Sequence, residues 1–250
     1  MGLTVHFKLA APPGCTGAQA KKLVESMRRV ALRFQREGLV DRVLPMTADA
    51  KSLRRFARAW LILPVPGEAN TSTGTEVCPA AGFLFGVEVG EGCEPLWLGL
   101  CRYPSKVRFQ GKELRTKAGA GWRLSGFSKT QYASLHGWEH FLRCHRAIVE
   151  LLASLRLLGL RVRITDEGDY WPRRSVAALR AQLDQMNRLV AAAAGALKDL
   201  NGKTGAAHGI QSPIFGHPQY ERLEAEGAVD SGRLREFVKA VRRAIRPEAR

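Results

Sequence analysis

Between residues 127 and 171 the chain concentrates side chains that can bind a metal or transfer protons. His136 and His140 are four positions apart, and Glu139 lies between them. A helix that included His136 would place both imidazoles on one face, where they could share a divalent metal with a carboxylate from elsewhere. Alternatively, His136 precedes the helix and His140 is a solvated surface residue, which Gly137 favours because glycine weakens a helix. His136 and His140 are therefore candidate catalytic residues, and the identity of any metal is left open.

Acidic residues follow a predicted strand in the same stretch, at Asp166, Glu167 and Asp169. Carboxylates at a strand end are aimed by a rigid element, and the loop leaves them accessible. Close like charges raise the pKa of one carboxyl group, which suits acid–base work, and two carboxylates could hold a divalent metal. We expect Asp166 or Glu167 to act as base or metal ligand, with a histidine as its partner. The alternative is that Asp166 caps a turn and that Asp169 lies in the N-cap region of the next helix.

A polar run at residues 128–134 lies between a predicted strand and a predicted helix, where backbone N–H groups can bind an anion. Lys129 could pair with a phosphate or a carboxylate, and Gln131 could read the edge of a base or an amide. Arg143, further along the helix, would extend the positive surface, and Trp171 offers a stacking face. With Asp169, these residues form the predicted ligand-binding set. The alternative is an ordinary capped loop, with the aromatic side chains in the core or at its rim.

The composition favours an anionic partner. The 250 residues include 39 lysines and arginines against 23 aspartates and glutamates, a net charge of +16. Such a balance is typical of proteins that bind nucleic acid or nucleotides, although an arginine-rich proteome would give the same excess. Five cysteines without CxxC spacing indicate free thiols in a reducing cytosol, and no apolar run approaches the roughly 18 residues of a membrane span. We therefore expect a soluble cytoplasmic protein with no membrane partner and no signal peptide.

Local patterns predict the elements that position these residues. Residues 3–9 alternate apolar and polar side chains, as does the run 160–165, and both patterns are typical of half-buried strands. Apolar residues at three- and four-residue spacing predict a helix over 138–158, ended by Gly159. The order of elements predicts a single α+β domain over 1–250, with helices packed on one face of a mainly antiparallel sheet.

Other segments carry further predictions. The pattern over residues 50–61 predicts a segment that begins as a helix, and an exposed polar loop is predicted near 67–76. Pro172 is well placed in the first turn of a helix that runs to about residue 200. A basic C-terminal helix is predicted over 231–246, with arginines on one side and apolar residues on the other.

Two resemblances follow from these residues. The order of His136, Glu139 and His140 resembles the HxxEH motif of the inverzincins, over five residues and with no assignable third ligand. The segments KTQYAS, GWEHFLRCH and DEGDYW loosely resemble bacterial hypothetical proteins over about residues 80–200. That second resemblance implies no activity, substrate or ligand.

These observations predict a basic protein that acts on or binds a nucleotide-like or nucleic-acid ligand. One hypothesis is a hydrolase with an acidic and histidine site in a cleft between the 128–134 loop, the 136–158 helix and the 166–171 turn. A second is a non-catalytic nucleic-acid-binding module that uses the arginine faces of the first and last helices. A third is an interaction domain whose basic surface contacts an acidic partner.

Overall fold

The computed structural model of this protein describes residues 3–64, 72–109, 111–116, 119, 121–204 and 212–229. Its strands, in chain order, are β1 (Thr4–Ala10), β2 (Arg42–Val43), β3 (Ala59–Pro64), β4 (Ser72–Val77), β5 (Ala81–Glu88), β6 (Leu96–Arg102), β7 (Lys106–Phe109), β8 (Lys112–Arg115), β9 (Arg123–Lys129) and β10 (Arg161–Asp166). Its α-helices are α1 (Gly17–Arg36), α2 (Ala50–Phe56), α3 (Trp138–Ser154), α4 (Val176–Thr204) and α5 (Tyr220–Val229).

Six strands form the main sheet, in the order β10-β1-β9-β6-β5-β2, and every pairing is antiparallel. The hairpins β3–β4 and β7–β8 form two small separate sheets. This arrangement confirms the predicted α+β class with a mainly antiparallel sheet.

Strand β1 lies between β10 and β9, and its alternation explains the two faces of this half of the sheet. Val5, Phe7 and Leu9 are buried, whereas His6 and Lys8 are exposed. Because successive side chains of a strand point to opposite faces, β1 has one core face and one outer face, as the sequence predicts.

Helices α1 and α3 cover the core face, and they also contact each other. Helix α1 begins at a capping box, in which Thr16 accepts from the backbone N–H of Gln19 while the Gln19 side chain accepts from the N–H of Thr16. Its buried stripe includes Val24 and Met27, and that stripe packs on the sheet. Burial of this apolar stripe stabilises the packing of α1 on the sheet.

Helix α2 packs on the opposite face, but only at the β5 end of the sheet. The Leu53 side chain lies over Gly82, where a Cβ would come within 2.8 Å of it. Neighbouring Phe83 points the other way and stacks on Trp122, which lies against Gly17 at the start of α1. Among the described residues, the outer side chains of β10, β1 and β9 are therefore left open to solvent.

Helix α3 follows the prediction closely but is shorter. It ends at Ser154 and continues as a short 3-10 helix to Leu158, after which Gly159 adopts the left-handed conformation (φ 78°). The helix starts only at Trp138, because Gly137 (φ 98°) has a backbone conformation that a helix cannot use.

Several boundaries differ from the sequence-based predictions. The segment 50–61 begins as a helix, as predicted, but the helix ends at Phe56 and the chain continues into β3. Residues 72–76 of the predicted exposed loop belong to β4, because each pairs with a residue of β3. Helix α4 begins at Val176 and not at Pro172, since Ser175 supplies the cap by accepting from the N–H of Ala178. Residues 67–71 and the predicted helix 231–246 lie outside the described residues.

Candidate nucleic-acid interface

Asp166 is sealed inside the protein and does not face a cleft. Its side chain is 0% exposed, and both of its carboxylate oxygens are engaged. One accepts from the N–H of Gly168 at 2.7 Å, and the other accepts from the N–H of Trp171 at 2.9 Å. The prediction that Asp166 acts as a base or metal ligand is not supported by this position, because its oxygens already fix the turn after β10.

The histidine partner of Asp166 is also not one of the predicted pair. Nε2 of His145, fully buried on α3, lies 3.1 Å from Asp166 Oδ1, a close contact that does not meet hydrogen-bond geometry. The Nδ1 atom of His145 lies 2.9 Å from the Thr130 hydroxyl. Burial alone would raise the pKa of Asp166, but the adjacent His145 imidazole and the two backbone amides that donate to the carboxylate lower this pKa below its ordinary value. This buried Thr130–His145–Asp166 chain connects the residue after β9 with α3 and β10.

Gln131 and Arg143 are likewise used inside the protein. Gln131 is 1% exposed; its side-chain oxygen accepts from the N–H of Leu3, and its amide donates to Asn187 of α4. Arg143 donates to the backbone carbonyl of Leu39 at 3.1 Å and pairs with Asp41 at 3.3 Å. The polar atoms named here already bond to the backbone or to another side chain, so a ligand would have to replace these contacts.

His136 and His140 do come together, with ring centroids 5.4 Å apart, but no predicted acid joins them. His140 contacts the carbonyl oxygen of Glu91 at 2.9 Å, and His136 lies 3.7 Å from the Glu91 carboxylate. His136 ends a 3-10 helix (Gln131–His136) and precedes α3, as in the alternative weighed from the sequence. Within the described part of the chain, no group of three or more histidine, cysteine or acidic residues is arranged to hold a metal ion.

Asp169 and Trp171 lie on the turn between β10 and α4. Asp169 is exposed and accepts a hydrogen bond from the Gln182 amide at 3.0 Å. The Trp171 ring has the Arg156 guanidinium 4.9 Å and the Arg174 guanidinium 4.6 Å from its centroid. These cation–π contacts would compete with the stacking of a ligand on this ring.

Lys129 and Glu167 are the two predicted residues that reach the outer face of the sheet. Asp166 pairs with Val5, which in turn pairs with Ser128, so these three side chains share the core face. Lys129 and Glu167 are each one residue further along and point to the other side. The predicted convergence of Lys129 with Asp166 is therefore wrong, because the pleat of the strands separates them by face.

The register defines a surface that we call the open face: the outward side chains of β10, β1 and β9. In one row, His6 has Thr165 and Phe127 as its cross-strand neighbours. In the next row, Lys8 has Arg163 and Ser125 as its neighbours. The third row places Arg161 and Arg123 on either side of Ala10. Adjacent rows are about 7 Å apart along the strands.

Positive charge dominates the centre of the open face. Lys8, Arg161 and Arg163 are exposed, and among the described residues they form no ion pair. With Arg123 and Ser125 they line an open depression of about 390 Å³. In the described part of the chain, the acidic side chains on this face lie at one end, where Glu167 contacts His6 at 3.3 Å and Glu94 contacts Lys129 at 3.4 Å.

An exposed aromatic residue lies beside this charge. Phe127 is 51% exposed, its ring centroid lies 6.0 Å from that of His6, and the Lys129 ammonium lies 5.8 Å from it. About half of this aromatic side chain therefore stays in contact with solvent, beside basic side chains, and such a ring can stack on a ligand.

Sequence reasoning missed His6, Lys8, Phe127 and Arg163 as site residues, although the signal was present. The alternation in residues 3–9 and 160–165 puts Lys8 and Arg163 on the polar sides of their strands. What local patterns do not contain is the pairing of these two strands with each other, which brings those polar sides onto one surface.

In the part of the chain that the structure describes, no helix combines the length and apolar character needed to cross a bilayer. Comparisons of the chain with protein-family models, with curated proteins and with solved structures found no match.

Proposed function

We propose that this protein binds single-stranded nucleic acid on the open face of β10, β1 and β9. The observation that carries the proposal is the row of basic side chains around Lys8 and Arg163, next to the exposed ring of Phe127. Single-strand-binding surfaces combine a positive path for the phosphates with aromatic rings on which bases stack. The net charge of +16 agrees with such a partner.

The arrangement of charge on the sheet favours a polyanion. Directly opposed like charges on neighbouring strands destabilise a sheet, and Lys8 faces Arg163 without an acidic neighbour among the described residues. A phosphate group between these two side chains would relieve their repulsion. Further phosphates would lie beside Arg161 and Lys129, which are also on the outer face.

The shape of the surface favours single strands over duplexes. The outer strands β10 and β9 are about 10 Å apart, and the face between them has no projecting helix or ribbon among the described residues that could enter a groove. Phe127 can stack on a base only if the base is turned away from a partner strand. Single strands present such bases, whereas a duplex hides their faces.

The predicted hydrolase has no comparable support, because the Asp166 carboxylate is buried at the turn after β10 and the His145 imidazole lies against it. The predicted binding surface of the first helix also differs from the open face, since α1 lies on the other side of the sheet. The last predicted helix lies outside the described residues.

Fluorescence anisotropy of labelled oligonucleotides tests the proposal. Oligouridine and oligothymidine of about 12 nucleotides, within the usual site sizes for such surfaces, are compared with a duplex of the same length. We expect tighter binding of the single strands, weakened in K8Q/R163Q and unchanged in the matched control K21Q/K22Q, which removes two exposed charges from α1. Equal binding by both variants, or no binding of either single strand, would refute the proposal.

A further inference from the structure

A second site, built from other described residues than the open face, lies between α3, α4 and α5. It is a cavity of about 160 Å³ whose lining is mostly polar. Trp138 of α3, Asn187 of α4 and Arg222 of α5 each line it, so all three helices contribute walls. The volume equals that of about five water molecules, at about 30 Å³ each. A ligand for this cavity is therefore a small molecule or ion.

Close packing of α5 on α4 forms one wall of the cavity. A Cβ at Gly227 of α5 would overlap the backbone oxygen of Arg188 of α4, so only glycine allows the two helices to approach this closely. The approach brings basic side chains of both helices to one carboxylate. Glu226 lies 3.7 Å from the Arg188 guanidinium and 3.4 Å from that of Arg222.

Asn187 is a buried polar residue of this lining, and only 4% of it is exposed. A chain of hydrogen bonds fixes which way its amide points. The N–H of Leu3 can only donate, so the Gln131 atom that faces it at 3.2 Å is the side-chain oxygen. The Gln131 nitrogen therefore donates to the Asn187 oxygen at 2.9 Å. The Asn187 NH2 group is left to face the cavity, and among the described residues no hydrogen bond uses it.

Positive charge exceeds negative charge around this buried donor. The charged lining consists of three arginines and two carboxylates: Arg180, Arg188, Arg222, Asp184 and Glu226. Guanidinium groups bind carboxylates and phosphates through paired N–H donors, and Glu226 already uses two of them in this way. The Glu226 side chain is 43% exposed, so an oxyanion from solution can take its place beside the two arginines.

Two further donors are positioned by their neighbours. The Arg180 guanidinium lies 4.9 Å from the centroid of the Trp138 ring, a cation–π contact. The N–H of Gln219 donates to Nδ1 of His217 at 3.1 Å, so the neutral imidazole carries its proton on Nε2. Burial, and after it the charge of Arg222, lowers the pKa of His217, which keeps this ring neutral at pH 7. Arg180 and His217 can therefore donate hydrogen bonds to an oxyanion.

We propose that this cavity binds a phosphate-sized oxyanion. The Asn187 NH2 group and the arginines donate to its oxygens, and the Glu226 carboxylate moves away from Arg188 and Arg222. Phosphate is favoured over acetate, because it has a larger charge and more oxygens to accept from these donors. This inference is independent of nucleic-acid binding, since no residue of the open face takes part.

Isothermal titration calorimetry of the full chain with inorganic phosphate, at constant ionic strength, tests the proposal. We expect saturable binding of phosphate and weaker binding of acetate. N187D keeps an oxygen that accepts from Gln131 but replaces the NH2 donor by a second carboxylate oxygen. It should weaken phosphate binding about tenfold or more, because a donor to a charged ligand is lost. R173Q removes an exposed arginine outside the cavity and is the matched control, which should bind as the unaltered chain does.

A second variant should change the affinity in the opposite direction. E226Q removes the carboxylate that competes for Arg188 and Arg222, so it should strengthen phosphate binding severalfold, and it tests the site even if N187D does not fold. K8Q/R163Q should retain phosphate binding, which separates this cavity from the open face. The proposal is overturned if phosphate does not bind, if acetate binds more tightly, if N187D binds as well as R173Q, if E226Q weakens binding, or if K8Q/R163Q abolishes it.

Discussion

Lys8 of β1 lies directly opposite Arg163 of β10, and both side chains point to the face of the sheet that α1 and α3 do not cover. Two cations held side by side by backbone pairing are repelled by each other, and the described residues place no acidic side chain between them. This relationship makes an anionic ligand favourable at the centre of the open face, and it gives the first prediction.

Removal of these two charges should reduce the salt dependence of binding. Each phosphate contact on a single strand contributes about 0.7 to the slope of log K against log salt, so K8Q/R163Q should lower the slope by about 1.4. At about 0.1 M salt the same arithmetic gives a loss of affinity of about 25-fold. Anisotropy titrations at several salt concentrations measure both quantities. A slope unchanged from that of the unaltered chain would contradict phosphate contacts at these positions.

Truncation of Phe127 should weaken binding without changing the salt slope. Base stacking contributes about 1–3 kcal/mol per base, so F127A should cost about 5- to 150-fold in affinity for oligouridine. The fold should tolerate the change, because half of this side chain is already exposed. Competition with poly-glutamate provides the comparison. If F127A binds oligouridine as well as the unaltered chain does, and poly-glutamate competes equally, the surface recognises acidic polymers in general.

Asp166 should act on stability and not on ligand binding. D166N leaves one oxygen to serve two backbone amides and places an amide group against His145, and disruption of such a buried pair costs about 3–5 kcal/mol. Urea unfolding measures the change in free energy. The matched control is D169N, an exposed position three residues away that should stay within about 0.5 kcal/mol. Equal stability of D166N and D169N would show that the buried chain contributes nothing.

Asp166 also makes the free energy of unfolding depend on pH in a defined direction. Because the pKa of Asp166 is lowered in the folded protein, the unfolded chain takes up its proton first as the pH falls. The stabilisation is therefore fully present above the ordinary aspartate pKa of about 3.9, and it is lost as the pH falls through the folded value. Urea midpoints near pH 6 and pH 3 should differ less in D166N than in the unaltered chain. A larger fall of the urea midpoint at acid pH in D166N than in the unaltered chain would contradict this direction.

The fold could be predicted largely because its signals are local. The alternation of apolar and polar residues in β1 and β10 and the apolar stripe on α3 are each visible within one segment of the sequence. The structure contains all three elements. Boundaries were less predictable where the cap decides them, as at Ser175, where α4 starts later than Pro172 suggested.

The site could not be predicted in the same way, because it depends on pairing between distant strands. Asp166 and Lys129 looked alike as polar residues near strand ends, but their register with Val5 and Thr4 puts them on opposite faces. His145 falls on the apolar stripe of α3, a position typical of a hydrogen-bonded core histidine, and its contacts agree with that interpretation. That it would bury Asp166 depends on the packing of α3 against β10, which no short pattern contains.

The location of the bound strand is the central claim, and ultraviolet cross-linking of oligouridine to the full chain tests it most directly. We predict that the cross-linked peptides come from β9 and β1, with the nucleotide adduct at or next to Phe127 and His6. Adducts confined to α1 or to residues 231–246, with none on β1, β9 or β10, would contradict it.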